Sequence, residues 1–133
     1  MSRENGARIL LVEDNAMNRR LVRDLLVHRG HVIIEATTVA EARELLAGEP
    51  DVDLVLMDLQ LPDGSGQDVL GSIRERADLR SLPVLAVTAS AMQGEKERLL
   101  AAGFDAYLSK PIDTRAFGPV VESFLVKGAQ GRD

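Results

Sequence analysis

Five polar residues sit directly after short apolar runs and could act on one chemistry. Glu13 and Asp14 follow Ile9-Leu10-Leu11-Val12, and Asp58 follows Leu54-Val55-Leu56-Met57. Thr88 follows Val84-Leu85-Ala86-Val87, and Lys110 follows Ala106-Tyr107-Leu108-Ser109. Taken singly, each has a plain reading: a solvated loop acid or helix cap, a strand-forming threonine, a surface lysine. Jointly they place three carboxylates, a hydroxyl and an ammonium at the ends of successive apolar runs. Two carboxylates about 5 Å apart repel by roughly 3 kcal/mol at an effective dielectric near 20. A fold does not retain three such groups for stability, so they hold a proton at a raised pKa or bind a cation. Oxygen ligands without His or Cys favour a hard ion, Mg²⁺ or Mn²⁺. Mg²⁺ keeps waters and completes its shell with phosphate oxygens, which suggests phosphoryl chemistry. One carboxylate could then be the nucleophile, as in enzymes that form an aspartyl-phosphate.

The elements that must position these groups are legible in the hydropathy pattern. Five runs rich in Val, Ile and Leu, the second being Val32-Ile33-Ile34, read as strands, and the first, third and fourth are nearly continuous, as strands covered on both faces are. Between them lie amphipathic helices, the first marked by Met17, Leu21, Leu25 and Leu26, the second by Val39, Ala42, Leu45 and Leu46. Phe117, Val120, Val121, Phe124 and Leu125 mark the last. Thr38 with Glu41 predicts a capping box, Asp113 predicts a cap for the last helix, and Gly30, Gly48 and Gly103 predict helix ends. Alternating strands and helices imply parallel pairing through right-handed crossovers: one α/β, (βα)5 doubly wound domain over residues 7–126, with flexible tails at 1–6 and 127–133. Ligands of such a sheet bind outside the carboxyl ends of its strands, where all five polar groups would meet. His28 and His31 flank the start of the second strand at the opposite edge and read as surface or turn histidines.

Composition narrows the function classes. A chain of 133 residues suits one core, and 45% hydrophobic content argues against disorder. The absence of cysteine excludes a disulfide scaffold, a thiolate zinc site and a thiol nucleophile. A net charge of -5 speaks against direct nucleic-acid binding, and no apolar run approaches the ~18 residues of a membrane span. The polar start predicts no secretory signal and hence a cytoplasmic protein.

The motifs together resemble one family. Leu11-Val12-Glu13-Asp14-Asn15, Leu56-Met57-Asp58, Leu61-Pro62 with Gly66, Val87-Thr88-Ala89 and Leu108-Ser109-Lys110-Pro111 are similar, in order, to the receiver domain of two-component response regulators. The resemblance implies a parallel sheet of flavodoxin-like order 2-1-3-4-5 and a phosphoryl group accepted by Asp58 from a phosphohistidine donor. It implies Mg²⁺ (or Mn²⁺) held by Asp14, Asp58 and the backbone carbonyl of Gln60, with Glu13 acting through water. Thr88 and Lys110 would bind phosphoryl oxygens, Thr88 and Tyr107 would form the switch, and the Lys110-Pro111 peptide would be cis. Gln60 and Ser90 hold the positions that tune phosphoryl lifetime in the family, and neither is an acid or base. Gly64 stands where many relatives carry methionine, which adds backbone freedom beside the acceptor.

The donor implied is a histidine kinase or a histidine phosphotransfer protein, and exposed members of the first helix could dock it. The Glu13-Asp14-Asn15-x-x-Asn18-Arg19 opening is similar to receivers of hybrid kinases and of single-domain phosphorelay regulators. Met1 favours a stand-alone protein, the alternative being a receiver module excised from a hybrid histidine kinase. Output would pass to a protein target through the face of the fourth helix, fifth strand and fifth helix, with Lys96, Arg98, Tyr107 and Arg115. A Mg²⁺-dependent aspartyl-phosphate phosphatase fits less well, because Glu13 and Asn15 occupy the spacing where that class places its two early aspartates. A receiver used for binding without phosphorylation is disfavoured by intact Glu13, Asp14, Asp58, Thr88 and Lys110.

Overall fold

Strands that are apolar at every position need cover on both faces, and the helices provide it on alternate sides. In the computed structural model, which describes residues 6–48, 50–89 and 94–131, seven strands and five α-helices follow the chain. They run β1 (Arg8–Val12), α1 (Ala16–His28), β2 (Val32–Ala36), α2 (Val39–Leu46) and β3 (Leu54–Asp58). A two-residue pair follows, β4 (Gln60–Leu61) and β5 (Gly64–Ser65), then α3 (Gly66–Glu75) and β6 (Val84–Thr88). The chain closes with α4 (Glu95–Ala102), β7 (Ala106–Ser109) and α5 (Phe117–Gly131). The five long strands form one parallel sheet in the order β2-β1-β3-β6-β7, which is the expected 2-1-3-4-5 once the short pair is set aside.

Alternation along each strand divides the core in two. Ile9 and Leu11 of β1, Leu54 and Leu56 of β3, and Leu85 and Val87 of β6 pack with Val22 and Leu26 of α1 and Phe117, Val121 and Leu125 of α5. Leu10, Val12, Val55, Met57, Val84 and Ala86 face the other way, against Ala42 and Leu46 of α2, Val69, Leu70 and Ile73 of α3, and Leu99 of α4. All of these are buried, so β3 and β6 bury every position and β1 every position but Arg8.

Several local expectations are refined. Thr38 caps α2 by accepting the Glu41 N–H at 3.0 Å, but the Glu41 carboxylate turns to the Thr37 N–H at 2.8 Å rather than closing the box on Thr38. The reciprocal box lies at α3, between Ser65 and Asp68, where the Ser-x-x-Asp pattern announces it. The stripe of α1 is rotated from the expected one: Val22 and Leu26 are buried, whereas Met17 is 82% exposed. The sheet beneath the helix ends before the helix does, so the first turn of α1 overhangs the carboxyl edge. Helical backbone in α5 continues to Gly131, past the expected boundary at residue 126, since extending a formed helix costs little.

His31 is the clear correction. It is not a surface or turn histidine but a buried one, with its side chain fully enclosed. Nδ1 accepts the Ala7 N–H at 3.2 Å and Nε2 lies 2.8 Å from a Glu122 oxygen. Arg29 donates twice to the same carboxylate, at 2.7 and 2.6 Å, passing over Gly118, where a Cβ would meet its side chain at 2.4 Å. Two basic groups over one acid join the end of α1 and the start of β2 to α5. Arg29, and after it His31, hold the Glu122 carboxyl below its ordinary 4.5 despite its partial burial.

A lowered folded-state pKa means that Glu122 contributes stability above its unfolded value, and that this is lost as pH falls through the folded one. Glu122→Gln is expected to lower stability by about 1–2 kcal/mol near pH 7. Urea midpoints taken from pH 7 downward should show the gap from wild type closing below about pH 4.

Candidate functional site

The sheet register fixes what meets at its carboxyl edge. Val12 pairs with Met57, so the residues after them, Glu13 and Asp14 on one strand and Asp58 on the other, leave side by side. Asp58 pairs with Val87, and Thr88 pairs with Ser109, which brings Lys110 to the same edge. The Lys110 N–H donates to the Thr88 carbonyl at 2.9 Å, and the Lys110-Pro111 peptide is cis.

Lys110 joins the two buried acids. Its Nζ stands 2.6 Å from Glu13 Oε1 and 3.1 Å from Asp58 Oδ2. Glu13 Oε2 accepts the Asn15 N–H at 3.1 Å, and Asp58 Oδ1 accepts the Gln60 N–H at 3.1 Å. Burial, and then the neighbouring Asp58, push the Glu13 carboxyl above its ordinary pKa, against the pull of Lys110. Burial alone would lower the Lys110 pKa; the hydrogen bond to Glu13 and the charges of both acids outweigh it and raise the value.

Exposed Asp14 completes the acidic group: one carboxylate oxygen from each of Glu13, Asp14 and Asp58 lies within 4.8 Å of the others. Three acids against one ammonium leave the site rich in negative charge, and an all-oxygen donor set at that spacing fits one hard divalent cation. The acids open onto a cleft of about 410 Å³, also lined by Asn15, Asn18, Gln60 and Lys110.

The site residues expected from sequence are thus largely gathered: Glu13, Asp14, Asp58, Gln60 and Lys110 share the cleft. Thr88 is buried at the end of β6, beside Lys110 along the backbone but not among the residues lining the cleft. Tyr107 lies half-buried on β7, against a separate cavity of about 220 Å³ shared with Leu108, Pro111, Phe117 and Val120. Ser90 lies outside the described residues.

Other residues that shape the site escaped the sequence reading. Asn15 caps α1 by accepting the Asn18 N–H at 2.9 Å. Asp63, in the turn between β4 and β5, accepts the Val39 and Ala40 N–H groups at 2.7 and 3.1 Å, tying the loop after Asp58 to the start of α2. Gly66 has the tightest surroundings: a Cβ there would fall 2.3 Å from the Asp58 carbonyl oxygen and 2.6 Å from Met57. Only glycine lets α3 begin against the Asp58 backbone. Its presence in the motif was visible, its reason was not.

A doubly wound parallel sheet with paired acids, a third carboxylate and a lysine at its carboxyl edge defines a class of α/β domains with an acidic edge site. The model of the family described as "Response regulator receiver domain" matches residues 9–121. The chain belongs to this family, the receiver domains of two-component response regulators. It is 43% identical over 117 residues to the polar-differentiation response regulator DivK of Brucella ovis, covering 88% of this chain and 94% of the relative. Among solved structures, the receiver domain of sensor histidine kinase PA1611 from Pseudomonas aeruginosa, described with a magnesium ion coordinated in the active-site cleft, is 31% identical with a TM-score of 0.80. It covers 91% of this chain and 98% of that one. The Mn²⁺-bound response regulator Rcp1 is 30% identical with a TM-score of 0.74, covering 88% and 90%. Receiver domains of response regulators take phosphoryl groups from histidine kinases or phosphotransfer proteins. Among the described residues, no helix is long and apolar enough to cross a membrane.

The crowded acids oppose folding in metal-free buffer. Asp58→Asn relieves a repulsion of roughly 3 kcal/mol at the stated spacing and gives up the ion pair with Lys110, which keeps Glu13; the net gain of about 1 kcal/mol should raise the melting temperature by a few degrees. Gly66→Ala should do the opposite, because backbone must move to admit the methyl; a loss of about 2 kcal/mol or more in denaturant midpoints is expected.

Proposed function

We propose that this chain is a phosphorylatable receiver that accepts a phosphoryl group on Asp58 from a phosphohistidine donor and switches a protein-interaction surface. The observation that carries this reading is the Lys110 ammonium at 3.1 Å from the buried Asp58 carboxylate, with the Glu13 and Asp14 carboxylates gathered beside it. A buried acid held by one lysine, next to an all-oxygen cation site and open to a cleft, is suited to attack phosphorus. Mg²⁺, or Mn²⁺, would be held by Asp14, Asp58 and the Gln60 carbonyl, with Glu13 acting through water. The ion would supply positive charge to the transferring phosphoryl oxygens.

A carboxylate oxygen of Asp58 attacks the phosphorus, the new O–P bond forms as the N–P bond breaks, and the donor imidazole leaves with the electron pair. Phosphoryl transfer asks mainly for positioning and charge neutralisation. The Gln60 N–H holds one Asp58 oxygen, and Lys110, kept charged by Glu13, follows the phosphoryl oxygens as negative charge builds. The Thr88 hydroxyl acts as a neutral donor to the phosphorylated form, and Tyr107 follows Thr88 by turning inward. Gln60 and Ser90, being neither acid nor base, give attacking water no help, which favours a long-lived phosphoryl group. The protein catalyses only its own phosphorylation and dephosphorylation.

The donor is a histidine kinase or histidine phosphotransfer protein, docking beside the cleft where Met17 is 82% exposed. The output face is α4, β7 and α5, where exposed Lys96, Arg98 and Arg115 flank half-buried Tyr107. The receiver unit is residues 7–126.

Incubation with Mg²⁺ and acetyl phosphate should add one phosphoryl mass to the intact protein, labile to hydroxylamine and absent in Asp58→Asn. Unmodified wild type under conditions that phosphorylate a control receiver would overturn the reading.

A further inference from the structure

Beside the turn that carries Glu13 and Asp14 stands a guanidinium that the phosphoryl chemistry does not use. Arg19, on the first turns of α1, directs Nη1 to the backbone carbonyl of Glu13 at 3.1 Å and to that of Asp14 at 3.3 Å. Its Nε meets Glu35 Oε1 on β2 at 3.1 Å, while Arg23 holds the other Glu35 oxygen at 3.3 Å. Glu35 lies opposite Leu11 in the β1–β2 ladder, and the Glu13 N–H donates to the Ala36 carbonyl at 3.0 Å. The turn that carries both acids is therefore held by β2 through its N–H and by Arg19 through its two carbonyls.

We infer that Arg19 is a positioning residue for the cation site: by binding the Glu13 and Asp14 carbonyls and anchoring on Glu35, it fixes the turn that aims these two carboxylates at Asp58. This rests on the reading that the acids hold a divalent ion. The planar fork of Arg19 spans carbonyls and carboxylate at once, which a lysine cannot do. Partners that orient ligands without touching the ion typically carry a factor of about 10–100 in metal affinity.

The sign of the effect separates positioning from bulk electrostatics. Arg19 is a cation beside a cation site, so removing its charge would tighten binding if charge alone mattered. If positioning dominates, removal weakens binding despite the favourable change in charge. Arg19→Lys keeps the charge and loses the fork, so it should weaken binding as well.

The experiment titrates Mn²⁺ into the full chain and follows the loss of the free-ion paramagnetic resonance signal, with Asp14→Asn as the site control. Arg19→Gln and Arg19→Lys are expected to bind Mn²⁺ about tenfold more weakly than wild type, the low end of the range for orienting partners. Glu35→Asp, which keeps the charge of the anchor but draws it back from the Arg19 fork, should move in the same direction by a smaller factor and serves if the Arg19 variants fail to fold. In acetyl phosphate assays the Mg²⁺ concentration at half-maximal rate should rise while the rate at saturating Mg²⁺ stays within about twofold. Unchanged or tighter Mn²⁺ binding by folded Arg19→Gln, or by Glu35→Asp where the Arg19 variants do not fold, overturns the inference alone. Wild type that binds no Mn²⁺, or binds it equally after Asp14→Asn, overturns the cation-site reading and this inference with it.

Discussion

The structure depends on one ammonium set between two buried carboxylates. Lys110 reaches Glu13 at 2.6 Å and Asp58 at 3.1 Å, so it sets the end of β7 beside the ends of β1 and β3 across the width of the sheet. Without that charge, two acids buried to 3% and 6% exposure would face each other in a poorly hydrated corner. The parallel register places the three strand ends within reach, and Lys110 makes their proximity tolerable. It leaves the third acid, Asp14, uncompensated and exposed, which is the condition under which a cation from solution has something to neutralise.

The same corner explains the loop that follows Asp58. The Gln60 N–H binds back to Asp58, Asp63 caps α2, Ser65 caps α3, and Gly66 packs its missing side chain against the Asp58 backbone. Each constraint is local and modest, yet together they leave Asp58 few ways to move. They also tie the backbone near Asp58 to the first turns of two helices, so a change of charge at Asp58 has direct mechanical neighbours.

Much of this was legible in the sequence because its signals are periodic or positional. Near-continuous Val, Ile and Leu runs mark strands covered on both faces, and the polar residues just after them are forced to one edge by parallel pairing. Glu13, Asp14, Asp58 and Lys110 were found in that way. What escaped depends on distance rather than spacing. His31 looked like a turn residue because its partners, Ala7 and Glu122, lie far from it in sequence, and no local pattern reports that α5 will cover it. Met17 fitted an apolar stripe on α1 and stands in solvent, because periodicity gives a face without saying where the sheet beneath it ends. The Glu41 carboxylate chose Thr37 over Thr38, a difference of one residue that no capping pattern resolves.

Two ends of the sheet also spend charge differently. At the amino edge, Arg29 and His31 meet a single carboxylate, Glu122, in a hydrogen-bonded cluster that joins α1, β2 and α5. At the carboxyl edge, acids outnumber the one ammonium and the cluster opens into a cleft. Satisfied polar clusters stabilise a fold, whereas unbalanced ones weaken it until something binds. Such an imbalance is sustainable only where the rest of the molecule is well joined. Here the two enclosed core layers and the basic cluster of the amino edge supply stability remote from the acids, leaving the carboxyl edge free to carry its excess charge.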